Sequence, residues 1–563
     1  MTGSSVRRPS PSPSRPGAAP RAAADGRRGR AVIIGGSLAG MLAAAALSPY
    51  ADEVVIVERD VLPTGPEGRR HLPQGRHGHI LWSGGSEAMD ALLPGTIDRW
   101  KAAGGRKIPL TQGMVSLSPR GWFRRWRPTH HIVACGRDRL DWVVREAALA
   151  LPGVRLMEGT QVLGLEGDAR RVTGVRVRAA LGGAAEPSPA GTGATDGVDG
   201  GEARGGVTGT GGTGSGPAGA GPAAGERVLS ADLVVDASGR GTRGPVWLGA
   251  LGVPAVPVEE IDSGLVYASR LYRAPAGVGE LPVVNIQAAA RERRPGRTGT
   301  IIPIEDGQWI VTLSGTRGAQ PTSDPDAFES FARELRHPLL ADFLARAEPL
   351  GRVHTFANTA NRRRRYERSR TMPEGFLSVG DAAVALNPVY GHGMSVAAQC
   401  AVALRDRVAA RGLTAPGLAA EARRRMAGPI SVAWDLATRQ DVFFPGSTGR
   451  RPGPADVLIQ RYVDRLMYTA TGDFHVATAL TDVMTLSKPA SRLVRPRVLL
   501  HALRGPGLPP LSGPALTRVE RDCLALPRAD RPAPAPAQPD PAPGHRSPTP
   551  RPEADPDPVA GPA

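Results

Sequence analysis

The stretch from Arg30 to Asp60 constrains this chain more than any other. It opens with a short apolar run, Ala31 to Ile34, of the length of a buried parallel strand. The turn Gly35-Gly36-Ser37-Leu38-Ala39-Gly40 follows, and then an alanine-rich segment to about Leu47 that reads as a helix. A second apolar run, Val54 to Val57, ends in Glu58. That order is a βαβ unit with a nucleotide-binding turn. Gly35 permits the tight turn, and Gly40 lets helix and strand pack closely. The amides at the new helix N-terminus then face a pyrophosphate, where the helix dipole favours negative charge. Glu58 stands 23 residues after Gly35, the distance at which a carboxylate accepts hydrogen bonds from an adenosine ribose. The same carboxylate would repel a 2′-phosphate, which favours FAD or NAD over NADP. Ser37 replaces the middle glycine of the usual G-x-G-x-x-G pattern, and it still offers a small side chain, an amide and a hydroxyl. The bland alternative is a strand–helix turn that binds nothing. A secretory signal after Arg27-Arg28 is excluded, because a glycine turn interrupts the apolar run and a strand ending in an acid follows it. The same interruption argues against a membrane span.

The 563 residues suggest two or more domains, but three regions lack the apolar side chains that would offset chain entropy. Residues 1–29 are expected to be a disordered basic tail, 181–226 a low-complexity Gly/Ala/Thr insert, and 505–563 a disordered Pro-rich tail. What remains is ample for a large core and a cofactor cleft. The formal charge is +17, yet lysine occurs only at 101, 107 and 488, so arginine supplies the other basic residues. Heavy use of Arg, Ala, Gly and Pro looks like GC-rich coding bias, which weakens any inference from charge to nucleic acid. No nucleic-acid module is visible, and 4% aromatic residues are few for base stacking. The sharpest basic cluster, Asn361-Arg362-Arg363-Arg364-Arg365-Tyr366, reads as a solvated strand end or as a dock for an acidic substrate or a reductant phosphate. Cys135, Cys400 and Cys523 are too few and too scattered for a disulfide framework or a zinc site. With no targeting segment, a reducing cytoplasm is the expected location.

Further along, Pro73-Gln74-Gly75-Arg76-His77-Gly78-His79 is a loop whose two histidines lack a third metal ligand and fit a position near a cofactor or at the surface. Short strands are expected over 105–135. Arg137 then begins a helix whose apolar spacing runs from Leu140 to Leu151. Val154 to Met157 and Val172 to Val177 alternate like strands, and the sheet resumes at Val228 after the Gly-rich tract. A strand from Leu233 to Val235 ends in Asp236 within DASGR. Between about 255 and 330 the alternation predicts an antiparallel sheet, with Tyr267, Arg270, Tyr272 and Trp309 either in its core or on a substrate wall.

The second strong signal is Gly375 to Ala398, GFLSVGDAAVALNPVYGHGMSVAA. A strand meets Gly380-Asp381, and after NPVYGHG a helix starts near Met394. Asp381 is placed to bond a ribityl hydroxyl, and the helix N-terminus near Gly393 can stabilise negative charge on a flavin's N1–C2=O edge. Two nucleotide-type motifs so far apart in one chain favour a flavin over a nicotinamide. Past residue 400 the chain reads as helical to about 503 and carries aromatic residues suited to capping a cleft.

Together these residues resemble FAD-dependent aromatic-hydroxylase-like monooxygenases, and most of all the squalene-epoxidase and bacterial polyether-epoxidase branch. The resemblance spans about residues 30 to 400 and rests on GGSLAG with Glu58-Arg59, PQGRHGH, Gly136-Arg137, DASGR and GDAAVALNPVYGHGM. It implies an α/β fold: a glutathione-reductase-like Rossmann FAD domain, an antiparallel substrate-binding sheet and a C-terminal helical region. The segments would be 30–254 and 371–412 for the FAD domain, 255–370 for the sheet and 413–504 for the cap. It implies Gly35, Gly36, Ser37, Leu38, Ala39 and Gly40 at the cofactor, Glu58 and Arg59 at the ribose, and Val162 at the adenine. Arg137 and Asp381 would hold FAD and Met394 would stand beside the isoalloxazine, with Gly391 and Gly393 also cofactor-binding. Two positions depart from the family pattern: its DG motif is altered to DASGR, and His392 stands where glutamine is frequent.

The implied activity is transfer of one oxygen atom from O₂ to an alkene or electron-rich ring of a hydrophobic polyketide- or terpenoid-like substrate in secondary metabolism. NADPH or NADH would supply electrons, directly or through a flavin reductase, and a carrier protein could present the substrate. No catalytic side chain, metal, nucleic acid or membrane span is implied. A flavin halogenase would share the fold, but no W-x-W-x-I-P string is present. A reductase of the same fold and a non-catalytic flavin-binding regulator are the other readings.

Overall fold

The computed structural model describes residues 28–69, 72–179, 225–276, 278 and 281–529. Most of the expected N-terminal tail, residues 180–224 with nearly all of the expected 181–226 insert, and the chain beyond 529 lie outside the described residues, whereas Glu226, the last residue expected in the insert, opens the strand Glu226–Ser230.

The chain is a mixed α/β protein in several layers. Its first layer is a five-stranded sheet in the order Phe376–Ser378, Leu233–Asp236, Arg30–Ile34, Glu53–Val57, Val154–Met157. All four pairings are parallel. The three central strands are apolar apart from Arg30, Glu53 and Asp236 at their ends, because both faces are covered. One face packs on the helices Leu38–Leu47, Arg137–Leu149, Gly393–Arg411 and Leu418–Asp441. The other packs on a three-stranded antiparallel sheet, Thr160–Gly167, Val172–Ala179 and Glu226–Ser230.

The second layer is a seven-stranded sheet, and it corrects the sequence reading in two ways. Its order is Glu348–Phe356, Val266–Arg273, Gln308–Gly315, Arg297–Pro303, Val283–Ile286, Met114–Ser118, Gly121–Trp122. Strands from well outside 255–330 therefore join it, and Met114–Ser118 pairs with Val283–Ile286 in parallel. Alternation within a strand reveals that one face is buried, but not which distant strand will lie beside it. Odd and even positions separate cleanly. Val115, Val284, Ile301, Val311 and Leu313 face a core closed by the helices Pro325–Arg333 and Leu339–Leu344. Their neighbours Ser116, Asn285, Thr300, Thr312 and Ser314 face a cleft.

The C-terminal helices Pro454–Ala470 and Phe474–Met484 cover that cleft, and Pro496–Arg504 packs behind them through Val498 and Ala502. The Pro-rich tail expected from residue 505 begins later. Thr517 and Glu520 form a capping box for a helix, Arg518–Ala525, whose Cys523 is buried in the core under the seven-stranded sheet. Arg125 clamps Glu520 at 2.6 Å. A two-turn helix held by one cysteine and one ion pair contributes too few apolar residues to register in composition.

Candidate active site

One cleft of about 1460 Å³ runs between the parallel sheet, the seven-stranded sheet and the helical cap. Its nucleotide-like end is built by the turn after Arg30–Ile34. Gly35 has φ +103°, a left-handed conformation that favours glycine. A Cβ on Gly40 would lie 1.9 Å from the Gly35 carbonyl oxygen, so only glycine allows the helix this approach. Gly35, Ser37, Leu38 and Ala39 line the cleft, while Gly36 and Gly40 stand behind them. The first amides of the helix Leu38–Leu47 lack partners within the helix by geometry, and Ser37 caps it without a side-chain hydrogen bond.

Glu58 ends the adjacent strand, buried at 5% exposure. Its carboxylate accepts from the Gly36 N–H at 2.7 Å and the Asp60 N–H at 3.1 Å, and it pairs with Arg69 at 2.9 Å. Arg69 also donates to the Gly36 carbonyl at 3.2 Å. Arg69 lies in an irregular loop with no motif around it, so nothing in the sequence marked it. Arg59 is largely exposed at the cleft edge. Val162 lines the same end, beside Trp247, whose buried Nε1 has no hydrogen-bond partner.

Farther along, Asp381 and Arg137 share the cleft with Arg240, the last residue of DASGR. Burial pushes the Asp381 carboxyl above its ordinary range, and the Arg240 and Arg137 cations oppose that shift. Arg240 donates to the carbonyls of Ala360 at 2.6 Å and Leu386 at 3.1 Å. Burial lowers its pKa, and Asp381 is the leading opposing influence. Arg137 is oriented by Asp141 at 2.8 Å, one helical turn on. The altered DASGR motif therefore contributes a cation to the cleft that its sequence pattern did not advertise. Its Asp236 is fully buried and accepts from Ser238 and Thr242, shaping the turn.

The NPVYGHG loop is anchored by a residue the sequence did not single out. Asp441 is the last residue of the helix Leu418–Asp441 and is 1% exposed. It accepts from Asn387 at 2.9 Å, Asn361 at 2.7 Å and the Tyr390 hydroxyl at 2.7 Å. Burial raises its pKa against those hydrogen bonds. Gly391, Gly393 and Met394 line the cleft just beyond. His392 sits buried at the helix N-cap with Nε2 2.9 Å from the Met484 carbonyl oxygen. Burial lowers its pKa to about 4, so the ring is neutral at pH 7, Nε2 is the donor, and Nδ1 is a buried acceptor without a protein partner.

His77 also lines the cleft. Its Nδ1 meets Ser269 Oγ at 2.9 Å, its ring stands edge-on to Tyr267, and burial lowers its pKa to about 3. His79 Nδ1 meets the His77 carbonyl at 2.8 Å. No group of three or more metal-ligating side chains occurs among the described residues. Of the aromatic and basic strand residues, Tyr267 faces the cleft, Tyr272 and Trp309 belong to the core, and Arg270 bonds the Gly351 carbonyl.

The arginine cluster is neither a solvated end nor a dock. Arg363, Arg364 and Arg365 are buried, and Glu259, Glu260 and Glu367 pair with Arg365, Arg362 and Arg363. The three cysteines are free and buried.

The cleft's far end has two unlike walls. The cap offers Val463, Met467, Leu480, Val483 and Leu493, interrupted by Gln460, Thr481 and Asp464, which pairs with Arg120 and Arg291. The sheet instead offers the hydroxyls and amide of Ser116, Asn285, Thr300, Thr312 and Ser314.

No protein-family model matches the chain. Protein Rv3254 of Mycobacterium tuberculosis is 31% identical over 430 residues, 74% of this chain and 81% of the relative. Among solved structures, the flavin-dependent brominase Bmp2 aligns with TM-score 0.54 and 16% identity, over 81% of this chain and 92% of that one. The p-nitrophenol 4-monooxygenase PnpA of Pseudomonas putida aligns with TM-score 0.53 and 14% identity, over 82% and 98%. At these identities the likeness is one of fold: the chain shares the α/β scaffold of these enzymes.

Proposed function

This chain belongs to the same family as Protein Rv3254, and from that premise and the cleft we propose that it is an FAD-dependent monooxygenase. The reading includes a glutathione-reductase-like Rossmann FAD domain and a cytoplasmic location. No helix among the described residues is long and apolar enough to cross a membrane. One observation carries the proposal. The glycine turn with Glu58 and the Gly380-Asp381 motif with the Gly393 helix end, far apart in sequence, open onto the same cleft.

The residues fit FAD. Two helix N-termini present positive dipole ends to the cleft, at Leu38 and Gly393. Trp247 Nε1 and His392 Nδ1 are buried polar atoms without protein partners, on residues lining the cleft. In this reading Gly35, Ser37, Leu38 and Ala39 hold the pyrophosphate, with Gly36 and Gly40 shaping the turn. Glu58 and Arg59 hold the ribose, Val162 the adenine, and Arg137 and Asp381 the ribityl side. Gly391, Gly393 and Met394 flank the isoalloxazine.

Bound FAD would supply electron transfer from NADPH or NADH, directly or through a reductase, and the activation of O₂. The protein's part is positional and electrostatic. The Gly393 helix end favours negative charge at its mouth. Asp441 locks Asn387 and Tyr390, and His392 ties the loop to Met484 of the cap, so the wall and the lid are one hydrogen-bonded unit. The cap's apolar side chains keep water from the reacting centre. Epoxidation of a polyketide- or terpenoid-like alkene is the reaction we propose, on the resemblance of NPVYGHGM to the epoxidase branch, with ring hydroxylation as the alternative outcome.

The test is turnover under ¹⁸O₂ with reductant and candidate polyenes. A product two mass units heavier than its ¹⁶O₂ counterpart supports monooxygenation, and an epoxide or its diol identifies the subtype. Label found only in peroxide across the panel overturns the reading. The Bmp2 fold makes halogenation the second reading, and adding bromide to the same reactions separates the two through a brominated product. None of the three lysines lines the cleft.

A further inference from the structure

The cleft-side face of the seven-stranded sheet carries a transverse row of polar side chains, of which Thr312, Thr300, Asn285 and Ser116 line the cleft and Ser269 lies buried beneath His77. Antiparallel pairing sets Ser269 opposite Thr312, Thr312 opposite Thr300, and Thr300 opposite Asn285. Parallel pairing then sets Asn285 beside Ser116. Because side chains alternate along a strand, all five point to one face, the face opposite the apolar core. A wall meant for a bare hydrocarbon would use apolar residues here, since burying unpaired polar groups costs free energy.

The row satisfies most of its own hydrogen bonds. Ser269 Oγ meets Thr312 Oγ1 at 2.7 Å, and Asn285 Nδ2 donates to Thr300 Oγ1 at 2.9 Å. Two buried atoms on cleft-lining residues are left over. Asn285 Oδ1 is an acceptor with no partner, and Trp126 Nε1 is a donor with no partner. They belong to one corner of the fold. Ser116 neighbours Asn285, and the Phe123 N–H donates to the Ser116 carbonyl at 3.0 Å, which brings the segment leading to Trp126 onto the same strand. Trp126 in turn stands edge-on to Phe474 of the cap, with ring centres 5.8 Å apart. An unmet donor and an unmet acceptor in a cavity mark where a ligand supplies the complementary groups.

We infer that the substrate is an apolar skeleton oxygenated along one edge, with a hydroxyl that donates to Asn285 Oδ1 and a carbonyl or ether oxygen that accepts from Trp126 Nε1. This rests on the cleft being the substrate site of the proposed monooxygenase. It narrows the substrate class to one already functionalised with oxygen, and it makes Asn285 and Trp126 specificity-determining residues. The aliphatic side chains Val463, Met467, Leu480 and Leu493 of the cap take the unsubstituted face of the skeleton, and the sheet takes the oxygenated edge. Reactions that install hydroxyl and carbonyl groups must therefore precede this one.

Binding tests this without turnover. FAD-loaded full-length protein is dialysed to equilibrium against anthraflavic acid, its dimethyl ether, or anthracene, and the retained probe is measured by chromatography. The wild type should hold anthraflavic acid about three- to tenfold more tightly than the ether, the range expected for one hydrogen bond to a buried acceptor. Asn285→Leu should erase that ratio. Asn285→Asp, which keeps an acceptor, should preserve it and guards against a merely misfolded leucine variant. Trp126→Phe should weaken both oxygenated probes by a similar factor. The inference is overturned by no retention of anthraflavic acid, by equal retention of anthracene, by a wild type that does not distinguish hydroxyl from ether, or by a preference that survives Asn285→Leu. Flavin absorbance of the same samples reports FAD separately, so failure here is distinguishable from failure of the flavoprotein reading.

Discussion

The two ends of the cleft are specified by different kinds of information. At the nucleotide-like end, one continuous stretch from Arg30 to Glu58 supplies the strand, the turn, the helix and the acid, and every contact among them is local to that unit. At the other end, the row from Ser269 to Ser116 is assembled from five strands whose neighbours are set by long-range pairing. The first end can be recognised as a motif. The second exists only as a register, because a one-residue slip of a strand would send its polar side chain to the core, and at Ser116 or Thr312 would bring a valine or leucine to the cleft. Locally encoded geometry should be intolerant of single changes, whereas a wall spread over five strands should tolerate them in fold while changing in ligand preference.

The largest expected effect breaks the local end. Gly40→Val places a side chain where even a Cβ meets the Gly35 carbonyl at 1.9 Å, and overpacking of that kind costs about 3 kcal/mol or more. Soluble flavin-loaded protein should be lost, while Thr300→Val at the other end should leave flavin content and melting temperature near the wild type. Equal behaviour of the two variants would erase the contrast.

Glu58→Gln asks whether the acid acts on a ligand or only on the protein. Hydrogen bonds to a charged group contribute about 1.5–3 kcal/mol, so FAD affinity should fall roughly tenfold or more by titration. Glutamine avoids setting a second cation against Arg69, which pairs with Glu58 at 2.9 Å. Unchanged affinity would mean that Glu58 serves only to hold Gly36 and Arg69.

His77 joins the two ends, and it gives the junction a pH signature. Burial holds its folded pKa at about 3, below the ordinary value of 6.5. The unfolded chain therefore binds the extra proton between those values, and stability from this group is full above pH 6.5 and declines as the pH falls. About 1 kcal/mol should be lost per pH unit in that window. Denaturant melts from pH 7 to 4.5 should show a shallower slope for His77→Asn, and an identical slope would remove His77 as the source.

The smallest effect concerns the low-complexity tract. Arg178 and Glu226 are paired across an antiparallel ladder, so the segment between them closes a hairpin. Replacing residues 181–224 with a turn of about four residues should leave flavin content unchanged and raise stability by no more than about 2 kcal/mol, since closure depends on length by only about 0.6 kcal/mol per doubling. Flavin-free or insoluble deletion protein would assign the tract a structural role.

By itself the sequence determined the strand–turn–helix around Gly35, the acid at Glu58, the alternating strands and the helix beginning after NPVYG. Each is a short-range pattern whose physics is complete within a few residues: a glycine conformation, a helix dipole, a period of two. Only the tertiary structure decided that Arg69 would brace Glu58, that Arg240 would join Asp381, and that Asp441 would hold Asn387 and Tyr390. It also decided that Arg363 to Arg365 would be buried among glutamates rather than exposed. Except for Arg363 and Glu367, which are one helical turn apart in sequence, these partners lie well apart along the chain, and charge and hydrogen-bond complementarity leave no periodic trace in it. The same holds for the cleft wall. Alternation between 255 and 330 showed that a sheet would form, and only the pairing of its strands made Thr300 and Asn285 neighbours on the face opposite the core, with one acceptor left unfilled.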